Sequence, residues 1–272
     1  MSTGSVNNQR KREMGVLVYP AYSRRSGGLS VGINLFPDRK LCSFDCPYCE
    51  VFPFGTDCIY SLPLMEAALE ETIAEANEQG NKVKDICFSG NGEPSLSPHF
   101  PAALEAAFRI RDREAPGAGL VLITNGSGLL KGEIFNLLRS SAMKGLNIWL
   151  KLDAGTGSWY RAMNRSAIPY ELLMEKIRAF VKCAPLLLQT MICAIDGSAP
   201  SSEEFRAWEA LVTELALSAA DLQGVQIYGK ARPAPEDPLA EALPLRFLEE
   251  RAASLRSALA SAGKETSILV YP

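Results

Sequence analysis

At 272 residues, 47% hydrophobic and 22% charged, the chain has an ordinary globular composition and can bury roughly three quarters of its unfolded surface. A net charge of −3 excludes a polyanion binder over the whole surface, and no apolar run approaches the roughly 18 residues of a membrane span. Seven cysteines, an odd number in an enzyme-sized chain, argue against a disulfide framework and for a reducing cytoplasm.

Residues 1–18 form a basic segment, predicted flexible, without the apolar stretch of a secretory signal. The first forty residues carry seven basic side chains, including Arg10, Lys11, Arg12, Arg24 and Arg25, against two acidic ones. That surplus is either a solvated tail and loop or a phosphate-contacting patch. A partial barrel is predicted over 19–233, and 234–272 supplies a Pro-rich linker, a helix and a short apolar tail, Ile268–Tyr271, packing on it.

Six apolar runs read as strands: Val31–Phe36, Asp85–Ser89, Leu120–Thr124, Asn147–Leu152, Leu186–Cys193 and Val225–Tyr228. Helix-period stretches fall near Leu64–Gln79, Pro98–Arg113, Lys131–Ser141, Tyr170–Cys183, Ser202–Ser218 and Leu245–Ala262. Gly80 suits a C-terminal helix cap, and Pro98 and Pro169 suit opening turns. Alternation of this kind predicts parallel strands with helical crossovers, an α/β fold that six units can curl into a partial (β/α)6 barrel. Ligands of such folds gather where the strands end.

The densest chemistry lies in Cys42-Ser-Phe-Asp-Cys46-Pro-Tyr-Cys49, spaced C-x3-C-x2-C. Three thiolates can hold a four-iron cube and leave one iron without a protein ligand. Zinc is the alternative, but it usually pairs C-x2-C with a second Cys or His pair, and the chain has a single histidine, His99. Further polar groups follow the strands. Ser89-Gly90-Asn91-Gly92-Glu93-Pro94 is a turn that permits close backbone approach and carries one carboxylate. Asn125-Gly126 is a turn signal after the third strand. Lys151 and Asp153 share one side of the fourth strand, as a mutual ion pair or as ligand contacts. Gln189 can face inward, and Arg232 is either a surface loop residue or part of a site. Cys58, Cys87, Cys183 and Cys193 read as small hydrophobes.

The cysteine spacing resembles the radical S-adenosylmethionine (SAM) superfamily. Tyr48 fits the aromatic often found there near the adenine, and Gly90-Asn91-Gly92-Glu93 is similar to the element that holds the SAM amino group. Tyr22-Ser-Arg-Arg-Ser-Gly-Gly-Leu-Ser-Val-Gly-Ile-Asn-Leu35 resembles the lead-in of the wyosine-synthase-like branch, the tRNA-imidazoG37 synthetase-like proteins. In that branch Asn125 lies at the cofactor carboxylate and ribose, and the Arg232-Pro233 pair helps frame adenine.

The resemblance implies a [4Fe-4S] cluster on Cys42, Cys46 and Cys49. It also implies SAM contacts from Tyr48, Gly90, Asn91, Gly92, Glu93, Asn125, Lys151 and Asp153. The implied chemistry is reductive cleavage of SAM to a 5′-deoxyadenosyl radical that abstracts a substrate hydrogen, with flavodoxin or ferredoxin as electron donor. Archaeal and eukaryotic wyosine synthases are expected to carry a second cluster on additional N-terminal cysteines, whereas residues 1–41 hold none. The substrate therefore stays open between a tRNA base and a small metabolite, peptide or protein. A non-catalytic iron–sulfur or zinc module is the competing reading.

Overall fold

A computed structural model describes residues 15–232, 234 and 237–272. The basic cluster at Arg10–Arg12 and Pro233 lie outside the described residues. The chain divides into two compact units, one of residues up to Cys42 with Pro53–Ile123, the other of Ser43–Phe52 with Thr124–Pro272.

In the first unit, β1 (Val18–Ser23) and β2 (Gly28–Ile33) form an antiparallel hairpin closed by a turn in which Gly27 has φ +71°. β2 then pairs in parallel with β3 (Val83–Phe88), and β3 with β4 (Gly119–Thr124). Helix α1 (Leu62–Glu78) links β2 to β3 and buries Met65, Leu69, Ile73 and Ala76, one helical stripe. Helix α2 (Phe100–Glu114) links β3 to β4 and buries Phe100, Ala103, Leu104, Ala107 and Ile110. Phe88 and Phe100 meet edge to face at 5.5 Å in this core. Gly80, with φ +72°, ends α1 as its position foretold.

The second unit carries parallel strands β5 (Leu146–Lys151), β6 (Pro185–Met191), β8 (Asp221–Tyr228) and β10 (Ile268–Tyr271), paired in that order. Its helices are α3 (Gly132–Ala142), α4 (Gly157–Met163), α5 (Tyr170–Val181), α6 (Ser202–Ser218) and α7 (Leu245–Ser261). Two short strands, β7 (Ala194–Ile195) and β9 (Ala240–Glu241), pair antiparallel. No helix among the described residues is long and apolar enough to cross a membrane.

Several expectations shift. The strand predicted at Val31–Phe36 is Gly28–Ile33, because Asn34 turns its side chain back onto the main chain, accepting from the Phe36 N–H at 3.1 Å. The cysteine loop follows this strand, which is the second of the chain because β1 precedes it. Pro98 lies outside α2: His99 caps it, and Pro101 occupies the opening turn. Pro169 is likewise the cap of α5, one residue ahead of its first turn. Residues 15–18, assigned to the flexible segment, are packed: Leu17 and Val18 are buried, and the Gly15 N–H donates to Pro37 O at 3.1 Å.

Candidate functional site

The approach to the cysteines is built in the first unit by backbone. Leu41, the residue before Cys42, bridges in parallel to Gly92. Its N–H donates to Asn91 O at 3.0 Å, and its carbonyl accepts from the Glu93 N–H at 2.9 Å. The contact is close enough that a Cβ on Gly92 would lie 1.8 Å from Leu41 O. Asn34 secures the other side of the turn. Its Oδ1 accepts from the Asn91 N–H at 3.2 Å, while its Nδ2 donates to Val16 O at 2.9 Å. Gly90, at φ +138°, leaves room for that side chain, since a Cβ there would stand 2.7 Å from Asn34 Oδ1.

The side chains of this turn also face inward. Asn91 Nδ2 donates to Phe36 O at 3.0 Å, and the Glu93 carboxylate, 2% exposed, accepts from Ser95 N at 3.1 Å and Ser95 Oγ at 2.5 Å. Arg24 is exposed and lies in the β1–β2 turn with the half-buried Arg25.

In the second unit the remainder of the cysteine loop is tied down residue by residue. Ser43 Oγ accepts from Asn125 Nδ2 at 3.1 Å and donates to Ser127 Oγ at 2.7 Å, and Ser43 O accepts from Ser166 Oγ at 2.9 Å. Asn125 Oδ1 also accepts from Ser127 N at 2.9 Å, an Asx turn that Gly126 completes at φ +80°. The Asp45 N–H donates to Asn164 O at 3.0 Å, and the Cys49 N–H turns back to Cys46 O at 2.9 Å. Arg232, at the other end of the unit's sequence, meets Glu50 at 3.3 Å.

At the C-terminal ends of β5, β6 and β8, Lys151 and Asp153 do form the ion pair that their spacing allowed, at 3.4 Å. The Asp153 side chain is fully buried, and that of Lys151 is 15% exposed. Asp153 also accepts from the Tyr48 hydroxyl, from Asn164 Nδ2 at 3.0 Å and from the Met191 N–H at 2.9 Å. Lys151 Nζ donates to the Tyr228 hydroxyl and lies between two rings, 4.9 Å from the centre of Tyr48 and 5.0 Å from that of Tyr228. Burial alone would drive the ammonium toward its neutral form, but Asp153 and Tyr228 outweigh it and hold the Lys151 pKa above its ordinary value. Burial, then the Asp153 charge, pushes Tyr48 well up, so its hydroxyl keeps its proton.

Gln189 is fully buried, donating from Nε2 to Gln226 Oε1 at 2.7 Å, with its own Oε1 left without a partner among the described residues. Sequence reasoning missed Asn164 and Tyr228. Asn164 belongs to no strand-end pattern, and Tyr228 closes a run, Val225–Tyr228, that is otherwise apolar but for the amide Gln226.

The cysteines are free thiols, with Cys42 exposed and Cys46 and Cys49 half-buried. Among the described residues no group of three His, Cys, Asp or Glu side chains is drawn together as for a bound metal ion. The donor chemistry nevertheless suits a cluster: three thiols within eight residues and no imidazole among them. Burial, followed by the Asp153 charge, raises Cys46 to about 11, with Lys151, Tyr48 and Asn164 opposing. Asn164 Nδ2 stands 3.6 Å from Cys46 Sγ. Cys87 and Cys193 are buried, and Cys58 donates to Gly15 O at 3.0 Å.

Residues 40–197, more than half of the chain, match the family model of the radical SAM superfamily, and the chain belongs to that superfamily. A UPF0026 protein of Methanocaldococcus jannaschii is 30% identical over 164 residues, 58% of this chain and 46% of the relative. The chain spans between 37% and 65% of the curated relatives it matches. Among solved structures, SuiB of Streptococcus suis bound to precursor peptide SuiA aligns with a TM-score of 0.63 at 12% identity, covering 86% of this chain and 47% of SuiB. TYW1 (wyosine synthase) with a lysine–pyruvate adduct bound aligns with a TM-score of 0.59 at 13% identity, covering 94% and 90%. At these identities the likeness is one of fold, the α/β partial barrel of the radical SAM type.

Proposed function

We propose that this chain is a radical SAM enzyme whose Cys42, Cys46 and Cys49 hold a [4Fe-4S] cluster with one iron open to SAM. The observation that carries the reading is how the cysteine loop is held. Within the second unit, Ser43 is held by Asn125 and Ser166, Asp45 by Asn164, and the Cys49 N–H turns back onto Cys46. A merely structural clip has no use for side chains that tie a ligand loop down at successive residues, whereas a catalytic centre must orient its ligands closely.

When bound, the cluster and SAM supply the redox chemistry, one-electron reductive cleavage to a 5′-deoxyadenosyl radical that takes a substrate hydrogen. The chain's own residues bind and orient. Gly90, Asn91, Gly92 and Glu93 supply a turn of fixed backbone for the SAM amino end, and Asn125 supplies an amide for its carboxylate and ribose. Lys151, kept charged by Asp153, is a cation for an anionic or hydroxyl-bearing part of SAM or substrate, and Tyr48 supplies the aromatic wall beside it. A small electron-carrier protein, flavodoxin or ferredoxin, would deliver the electron.

The test is anaerobic reconstitution and reduction with SAM, reading 5′-deoxyadenosine by mass spectrometry, with a Cys46→Ala variant as control. The nucleoside is expected in the wild type and absent from the variant. A wild type that takes up zinc but no iron and sulfide, and yields no nucleoside, would sink the proposal in favour of a structural metal module.

A further inference from the structure

Asn164 joins the cysteine loop to the buried charge network from outside the loop, as Tyr48 does from within it, and no sequence motif marks it. It ends α4, with its own N–H bonded to Tyr160 O at 2.8 Å, and only 2% of it is exposed. Its carbonyl receives the Asp45 N–H at 3.0 Å. Its side-chain nitrogen has two hydrogens and two acceptors, Asp153 Oδ2 at 3.0 Å and Cys46 Sγ at 3.6 Å.

The orientation of this amide is determined by chemistry. Turning its oxygen toward Asp153 would set two acceptors against each other in a buried place and leave the sulfur without the donor. Asp153 is in turn immobilised by Tyr48, Lys151 and the Met191 N–H. One N–H of Asn164 is thus aimed at the Cys46 sulfur by a chain of fixed contacts, all within the second unit.

We propose that Asn164 is a positioning residue for the cluster, holding the loop at Asp45 and donating a side-chain hydrogen bond to the Cys46 thiolate. The inference rests on the radical SAM reading above. A cluster gains negative charge on reduction, and a donor at a ligating sulfur favours the more negative state. Asn164 therefore holds the potential higher than the three thiolates and their burial alone would set it.

The test uses the reconstituted wild type and an Asn164→Leu variant with matched iron and sulfide content. EPR-monitored redox titration is expected to give a midpoint shifted to more negative potential in the variant. In wild type grown on asparagine carrying 15N in the side-chain amide, pulsed EPR of the reduced cluster is expected to show a nitrogen coupling that the variant lacks. An unchanged midpoint, or no asparagine coupling in the labelled wild type, overturns the assignment. If the leucine variant fails to fold, Asn164→Ser carries both the titration and the comparison of nitrogen coupling. These outcomes are separate from failure of the parent reading, in which the wild type takes no four-iron cluster at all and both proposals fall.

Discussion

The turn at Gly90–Glu93 and the network around Asp153 both sit where parallel strands end, yet they hold their surroundings by opposite means. In the turn, close approach and bonds to main-chain groups do the holding: Gly92 lies against Leu41 O, Gly90 against Asn34, and the amides of Asn34 and Asn91 bond the Asn91 N–H and Phe36 O. In the network, a fully buried carboxylate collects an ammonium, a phenol, an amide and a backbone N–H. The first is sensitive above all to shape. The second is sensitive to charge balance, because each member is tolerable in the interior only while its partner remains.

The largest expected effect belongs to the turn. Gly92→Ala places a carbon 1.8 Å from a backbone oxygen that cannot rotate away, so either the bridge to Leu41 opens or the strand end moves. A loss of more than about 4 kcal/mol is expected, in the range reserved for such backbone conflicts. Gly27→Ala is the control. Its φ of +71° is left-handed, but nothing lies within 4 Å of the added carbon, and about 1–2 kcal/mol is expected there. Urea unfolding of both variants checks the pair, and near-equal losses would show that close approach to Leu41 does not limit the turn.

Next in size is the network. Asp153→Ala strands the Lys151 ammonium in the interior, at an expected cost of about 3–5 kcal/mol. Adding Lys151→Met should restore part of that loss, since the uncompensated charge goes with it while the Tyr48, Asn164 and Met191 donors still lack their acceptor. Losses that simply add in the double variant would mean that Lys151 reaches solvent and that the network is not governed by charge balance.

The same contrast explains how much was legible in the sequence. Apolar periodicity placed α6 at Ser202–Ser218 residue for residue and put the long strands within a few residues, because burial of one face dictates both patterns. β1 escaped because Val-Tyr-Pro-Ala-Tyr-Ser carries a proline and mixed polarity, which an outer strand tolerates and an inner one does not. α4 escaped because its seven residues open on Gly-Ser and depend on Thr156 Oγ1 accepting from Trp159 N. The turn's glycines were readable, since few residues other than glycine permit such approach. The use of Asn91 and Glu93 was not, because an amide or carboxylate at a strand end looks the same whether it faces a ligand or its own backbone. Lys151 and Asp153 were readable as a pair from two-residue spacing, whereas Asn164 comes from an α-helical end eleven residues on, and only folding brings it to Asp153.

The smallest effect sharpens the comparison by moving a charge pair to the surface. Arg178 on α5 and Glu214 on α6 make a two-pronged pair at 2.6 and 3.0 Å, chemically stronger in form than Lys151–Asp153, with side chains 39% and 49% exposed. The hydrogen bonds from Arg178 lower the Glu214 pKa, with burial opposing. A lowered carboxylate pKa contributes stability above its unfolded value, and that contribution fades as pH falls through the folded value. Solvent screening limits it, so Glu214→Gln is expected to cost only about 0.5 kcal/mol at pH 7 and nothing once the acid range is reached. Wild type and variant stabilities measured by urea from pH 7 downward should therefore converge. A gap that persists in acid would assign the loss to packing between the two helices, and the exposed pair could then no longer serve as the screened counterpart of the buried one.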